Sequence, residues 1–423
     1  MRYHSYLFII TLIFLSFSGC NKPEYNWTHF RGSDLNGHAR VKSAPLNWDE
    51  SSNIVWKVPV KGLGWSSPVV YGDQIWLTSA DRNGKEFYTL CFDFETGQLL
   101  DEKLIFTRNN PQRIHSTNSY ATPTPCIEKG FVYVHFGTFG TACIDTRTFE
   151  VVWKRDDLPC EHMQGPASSP VIYKEMLILH LEGTEDPYVA SLNKRTGELI
   201  WTSVRPAEIY DPIQPVYRKS YQTPIIIDVN RRKLMISNSA FMCFAHDVYT
   251  GEVVWTVEYG YDSTVSMPLF HNGIVYVNSG WIFLENKPSF TRQYAIDPSG
   301  EGDVTDTHVK WIYEDEVPQI PTPVIVDNRM YMVHDRGMVT CLDLKTGNPV
   351  WKEQLSGNFN SSPVYAGGNI YFINVRGDCT IIEPADTFRL IAGNSIGETV
   401  KAVPAFVRDR MILRTEKNLI MIR

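Results

Sequence analysis

The chain has 423 residues, 43% of them hydrophobic and 13% aromatic, and a formal net charge of −7. That much apolar material allows a large core. The acidic balance, with no long basic run, argues against nucleic acid as the main partner.

Residues 1–19 open with Arg2 and His4, continue with the apolar run Leu7 to Leu15 and close with Ser16-Phe17-Ser18-Gly19. The run is shorter than the roughly 20 residues a membrane-spanning helix needs, and the small residues after it suit a signal peptidase, so it reads as an export signal. Cys20 follows Ser18-Gly19 as in a lipobox, with Phe17 where an aliphatic residue is usual. Cys20 is the expected lipidation site, and an ordinary cleaved signal is the alternative. The expectation is a lipid-anchored, non-spanning protein on the extracytoplasmic side, in the periplasm or at the cell surface.

Residues 20–47 read as a polar tether followed by a docking segment, Trp27-Thr28-His29-Phe30-Arg31-Gly32 through Gly37. The aromatic pair and glycines suggest docking on the surface of the following domain. Arg31 is expected to hydrogen-bond backbone carbonyls.

From residue 48 to 423 one phrase recurs, most plainly as Ser66-Ser67-Pro68-Val69-Val70-Tyr71, Ser168-Ser169-Pro170-Val171 and Ser361-Ser362-Pro363-Val364. Its prolines are Pro68, Pro125, Pro170, Pro224, Pro268, Pro323, Pro363 and Pro404, which lie 40 to 57 residues apart. In all copies but the Pro224 one, a hydrophobic residue stands seven positions after the proline. Short strands repeated at this period are the signature of a β-propeller. The reading is all-β, eight blades of four short strands each, the first blade near Ser67 to Tyr71, Gln74 to Ala80, Glu86 to Asp93 and Gln98 to Leu104.

A second phrase, Asp-x-x-Thr-Gly and then Trp, follows most copies, as at Asp247 to Trp255 and Asp343 to Trp351. Asp and Thr oxygens cap a tight turn, and Gly supplies positive φ. The tryptophan is expected to wedge between blades; the first copy has Asp101 in its place. Asn53 to Val60 looks like an outer strand without a blade, and the last copy ends at Arg423 without one. The start of the chain is therefore expected to complete the last blade and close the ring.

Eight cysteines less Cys20 leave seven, so complete pairing is impossible. Cys91, Cys143 and Cys341 occupy a slot that elsewhere holds Ser191, Ala245 and Ala295, which asks for a small packed residue. For Cys126, Cys160, Cys243 and Cys379 a disulfide stays open.

Inserts at 107–120, 158–167 and 205–221 precede innermost strands and should crowd one mouth of the channel, and another widens a blade at 280–287. Loops on a rigid ring are where binding resides. The expected mouth is Trp65, Tyr120, Gln164, Tyr221, Gln222, Ser266, Gln319, Asn360 and Lys401, whose aromatic and amide side chains suit peptides or sugars. Glu161-His162 and Asp262-Ser263 read as ordinary loop residues, and His115 with Arg113 and Asn118 as a solvated loop, with an anion site as the alternative.

The paired phrases resemble the repeats of the pyrroloquinoline-quinone (PQQ)-type propellers, of the quinoprotein alcohol dehydrogenase-like fold, over essentially the whole mature chain. That group includes dehydrogenases and a propeller lipoprotein of the outer-membrane barrel-assembly machinery. The resemblance implies, for an enzyme, an adjacent Cys-Cys disulfide, Ca²⁺ ligands and an aspartate base. No two cysteines adjoin here and no carboxylate cluster is assignable, so no catalytic residue, PQQ or Ca²⁺ is expected. The expected function is a non-enzymatic binding or scaffolding module for envelope proteins, or for a peptide or glycan. A PQQ-dependent dehydrogenase and a carbohydrate-associated binding protein are the alternatives.

Overall fold

The computed structural model describes residues 26–260, 265–279 and 291–423. Cys20, the export signal, Asp262-Ser263 and the insert at 280–287 lie outside the described residues. Eight antiparallel sheets follow one another around a ring, each read from its innermost strand outwards. The first is Val69–Tyr71, Gln74–Ala80, Glu86–Asp93 and Leu99–Thr107. The eighth contains Ala405–Val407, Arg410–Arg414 and Asn418–Ile422, and its outermost strand is Ile54–Pro59 from the start of the domain. Two four-residue helices, Ala207–Tyr210 and Thr305–His308, are minor additions.

The fourth blade explains the one copy that breaks the proline-plus-seven rule. Its inner hairpin, Ile225–Val229 with Arg232–Asn238, pairs Ile225 with Ile236, two residues longer on each strand than Val69 with Trp76. The turn then falls on Asn230 and Arg231, both at positive φ. This blade also carries a fifth strand, Gly302–Asp303, parallel to its outer edge.

Two repeated contacts hold neighbouring blades together, one at the rim and one near the axis. At the rim each wedge tryptophan donates its indole N–H to a backbone carbonyl of the next blade: Trp56 to Phe94 at 3.1 Å, Trp153 to Lys194 at 2.9 Å, Trp201 to Val248 at 3.2 Å and Trp311 to Leu344 at 2.9 Å. The ring lies on the turn glycine of that blade, so close that a Cβ on Gly97, Gly197, Gly251 or Gly347 would meet it at 2.6 to 2.7 Å. Across the strand pair the tryptophans face Cys143, Ser191, Ala245, Ala295 and Cys341, which is why that slot takes only small residues. All seven described cysteines are buried free thiols.

Near the axis, at six of the eight blade boundaries, the residue before the repeat proline donates its N–H to the hydroxyl of its counterpart in the next blade. Ser67 donates to Thr124 at 2.9 Å, Thr124 to Ser169 at 3.0 Å and Ser169 to Thr223 at 2.9 Å. Met267 donates to Thr322 at 3.0 Å, Thr322 to Ser362 at 2.9 Å and Val403 to Ser67 at 3.0 Å. Proline forces the preceding residue into extended backbone, which aims this N–H sideways at the neighbour. The belt lapses only where Met267 and Val403 offer no hydroxyl.

The docking segment goes deeper than the surface position expected of it. Trp27 exchanges both backbone hydrogen bonds with Val70 in the first innermost strand, and the Thr28 carbonyl accepts from Ile127 in the second. Further on, Gly37 and Ala39 bond both backbone groups of Tyr365 in the seventh blade. Phe30 packs on core clusters from opposite sides of the ring. Innermost strands leave their axial backbone groups unpaired, and the segment satisfies several of them by running through the channel. Arg31 is fully buried and donates to the carbonyls of Thr322 (2.8 Å) and Pro323 (2.6 Å).

Candidate binding site at the mouth of the ring

With the channel occupied by the segment, one mouth becomes a blind cavity of about 400 Å³ with Phe30 in its lining. Its walls follow from strand alternation. All eight blades contribute the third residue before the proline, Trp65, Thr122, Ala167, Tyr221, Val265, Ile320, Asn360 and Lys401, and most also contribute the residue directly before it. The residue between points the other way, into the blade, as a period of two requires.

That alternation sorts the nine expected mouth residues. Trp65, Gln164, Tyr221, Gln319, Asn360 and Lys401 line the cavity. Gln222 and Ser266 stand at the intervening position and are fully buried, Gln222 bonding Ser237 at 3.4 Å. Tyr120 is buried too, its hydroxyl on the Gln112 carbonyl at 3.1 Å and its ring edge-on to Phe87. Sequence reasoning missed Ser67, Thr124, Ser169, Thr223 and Ser362, which also face the cavity; the alternation around each proline was the signal that places them.

Beyond these positions the first two inserts add His115, Thr117, Asn118 and Gln164, and Gln319 and Phe30 complete the wall. His115, Thr117 and Asn118 come from the first, and Asn118 ties it to the second through the Gln164 carbonyl at 2.8 Å. Arg113 is exposed and does not line the cavity. Tyr221, closing the third insert, accepts the Gln164 N–H at 3.3 Å. Lys401 Nζ donates to the Thr117 carbonyl at 2.6 Å and lies 4.7 Å from the centre of the Trp65 ring. Burial pulls the Lys401 pKa down. The Asp335 carboxylate stands behind the wall, accepting the backbone N–H groups of Gln319 (2.7 Å) and Ile320 (3.2 Å).

A buried polar knot braces the third insert from behind. Glu182 pairs with Arg205, whose guanidinium also meets His246 Nε2 at 2.9 Å and Ser237 at 2.6 Å, while Ser239 donates to Glu182 at 2.6 Å. Burial would raise the Glu182 pKa, but Arg205, His180 and Ser239 outweigh it and hold it at about 2. His162 is a loop residue as expected, but a buried one, set against Gly137 with its Nδ1 3.4 Å from the Cys160 thiol.

A family model described as "Outer membrane protein assembly factor BamB" matches residues 46–299 and again 185–389. The chain belongs to this PQQ-like repeat family. Among solved structures, BamB from Moraxella catarrhalis is 12% identical with a TM-score of 0.60, over 88% of this chain and 99% of that one. A europium-containing methanol dehydrogenase is 10% identical with a TM-score of 0.64, over 94% and 91%. At these identities the likeness is one of fold. Tetrathionate hydrolase of Acidithiobacillus ferrooxidans is 21% identical over 351 residues, 77% of this chain but 66% of that protein, so the chain spans just under two thirds of that relative's length.

The described residues of the mouth do not fit a quinone with its metal. The described lining of the cavity contains no carboxylate, whereas a hard cation of this kind takes six to eight oxygens with carboxylates among them. Among the described residues no group of three His, Cys, Asp or Glu converges to hold a metal ion.

Proposed function

We propose that this chain is a non-enzymatic binding or scaffolding module of the cell envelope, tethered through lipidated Cys20, that engages its partner at the blind mouth of the ring. The observation that carries the reading is the cavity itself. A rigid eight-bladed wall presents Trp65, Tyr221, Gln164, Gln319 and Asn360, with Phe30 of the chain's own segment in the lining. Aromatic faces with adjacent amides grip peptides at small entropic cost. Membership of the BamB family supports a partner among envelope proteins.

A photocrosslinking amino acid placed at Asn360, on the mouth, and at Gly130, on a hairpin turn with open space around it, tests this in cells. Adducts with one envelope protein from Asn360 but not Gly130, lost in Trp65→Ala with Tyr221→Ala, are expected. Adducts from Gly130 alone would move the binding face away from the mouth. Stoichiometric PQQ binding with dye-linked alcohol oxidation would replace the scaffold with an enzyme. Cys20→Ser is expected to release the chain from the membrane fraction.

A further inference from the structure

The polar groups of the mouth are unevenly matched. Its described lining holds Lys401 and His115 but no carboxylate. Glu416, the acidic group that acts on Lys401, is itself paired with Arg82 at 3.1 Å. Lys401 is thus a half-buried ammonium whose neighbours are one carbonyl and one indole face.

The floor has the same bias. Ser67, Thr124, Ser169, Thr223 and Ser362 all line the cavity, and none is more than 3% exposed. Each of these oxygens already accepts the N–H of a neighbouring blade, from Val403, Ser67, Thr124, Ser169 and Thr322 in turn. A hydroxyl that accepts in this way has its own hydrogen left to donate, and these five donate to no group of the described protein. The belt that locks the blades therefore presents a ring of O–H donors to the cavity. Hydroxyl donors that line the same cavity as a half-buried cation, with no carboxylate in the described lining, favour a negatively charged guest.

We infer that the mouth binds a carboxylate carried on an apolar body, the head group on the hydroxyl floor and Lys401, the body against Trp65 and Tyr221. This rests on the mouth being the binding face proposed above. The carboxylate has two sources, a free small acid or the C-terminal residue of a partner chain.

Calorimetric titration of the mature chain tests it with matched pairs: 3-phenylpropanoate against 3-phenylpropanamide, and acetyl-Gly-Gly-Phe as free acid against its C-terminal amide. The acid is expected to bind at least about tenfold more tightly than the amide, the loss of one charge-assisted hydrogen bond. That gap should close in Lys401→Met and persist in Lys401→Arg, and the pair that binds more tightly assigns the source. Equal binding of acid and amide, binding by neither pair, or a gap that survives Lys401→Met overturns the inference. The crosslinks from Asn360 are independent of this outcome, so a mouth that captures its partner without preferring acids would sink the carboxylate and leave the binding face standing.

Discussion

At Gly251 the backbone has φ +76° and a Cβ would lie 2.6 Å from the Trp201 ring, whereas Gly130, at φ +88°, has nothing within 4 Å. Both alanine variants strain a left-handed turn, at about 1 kcal/mol. Only Gly251→Ala also displaces a wedge, adding about 1 to 3 kcal/mol for an overpacked contact. Urea midpoints should therefore fall clearly further for Gly251→Ala than for Gly130→Ala, and equal midpoints would show that the wedge is not a close contact. The Thr-Gly and Trp pattern that underlies this was readable because it repeats. The exception was not. Asp101 replaces the wedge of the first blade, and Phe149, at φ +61°, replaces the glycine of the turn it would have met. Phe149 instead packs on Trp76 with ring centres 5.8 Å apart. The two changes compensate across a blade boundary, and a sequence read one repeat at a time shows them as unrelated defects.

Among the elements, the segment from Trp27 to Ala39 differs most from its sequence reading. Its aromatic pair and Arg31 signalled docking and carbonyl bonding, and Arg31 does meet backbone carbonyls. Its depth was illegible because the channel it enters is built by residues hundreds of positions away, Thr322, Pro323 and Tyr365 among them. Arg31→Met keeps the length of the side chain and removes the donors. It is expected to cost roughly 2 to 4 kcal/mol, as for buried charge-assisted hydrogen bonds whose acceptors are left unpaired. Limited proteolysis should then cut near Gly32 to Gly37 in the variant at protease levels that leave the parent intact. If the segment stays resistant and the unfolding midpoint is unchanged, Arg31 does not hold it in the channel.

Across the whole molecule, ring closure and acid response follow from how many polar groups are taken out of water. The eight prolines made the ring legible, and the start of the chain completing the last blade followed from two partial copies. The mouth was legible in part, since strand alternation was available around every proline yet Gln222 and Ser266 were placed on the wrong face. The buried imidazoles carried no such signal, because isolated histidines do not repeat. His135, His162 and His246 sit in the second blade, the following insert and the fourth blade, each at most 3% exposed. Burial pulls their pKa values to about 3, about 4 and about 3, with Arg205 adding to the effect at His246. In the unfolded chain the same groups take up protons near pH 6.5. Between that pH and about 4 the unfolded state thus binds more protons, so stability must fall as the pH is lowered through this window. The slope approaches about 1.4 kcal/mol per pH unit for each imidazole once the unfolded form is fully protonated. Glu182, held at about 2, has the same sign below its unfolded value near 4.5. Thermal unfolding scanned from pH 7 to pH 4 should show a midpoint that drops steeply below pH 6.5, and His135→Gln, which removes one titrating ring beside Thr141, should flatten the drop. A midpoint independent of pH over that range would mean that these imidazoles are hydrated or already charged in the folded ring.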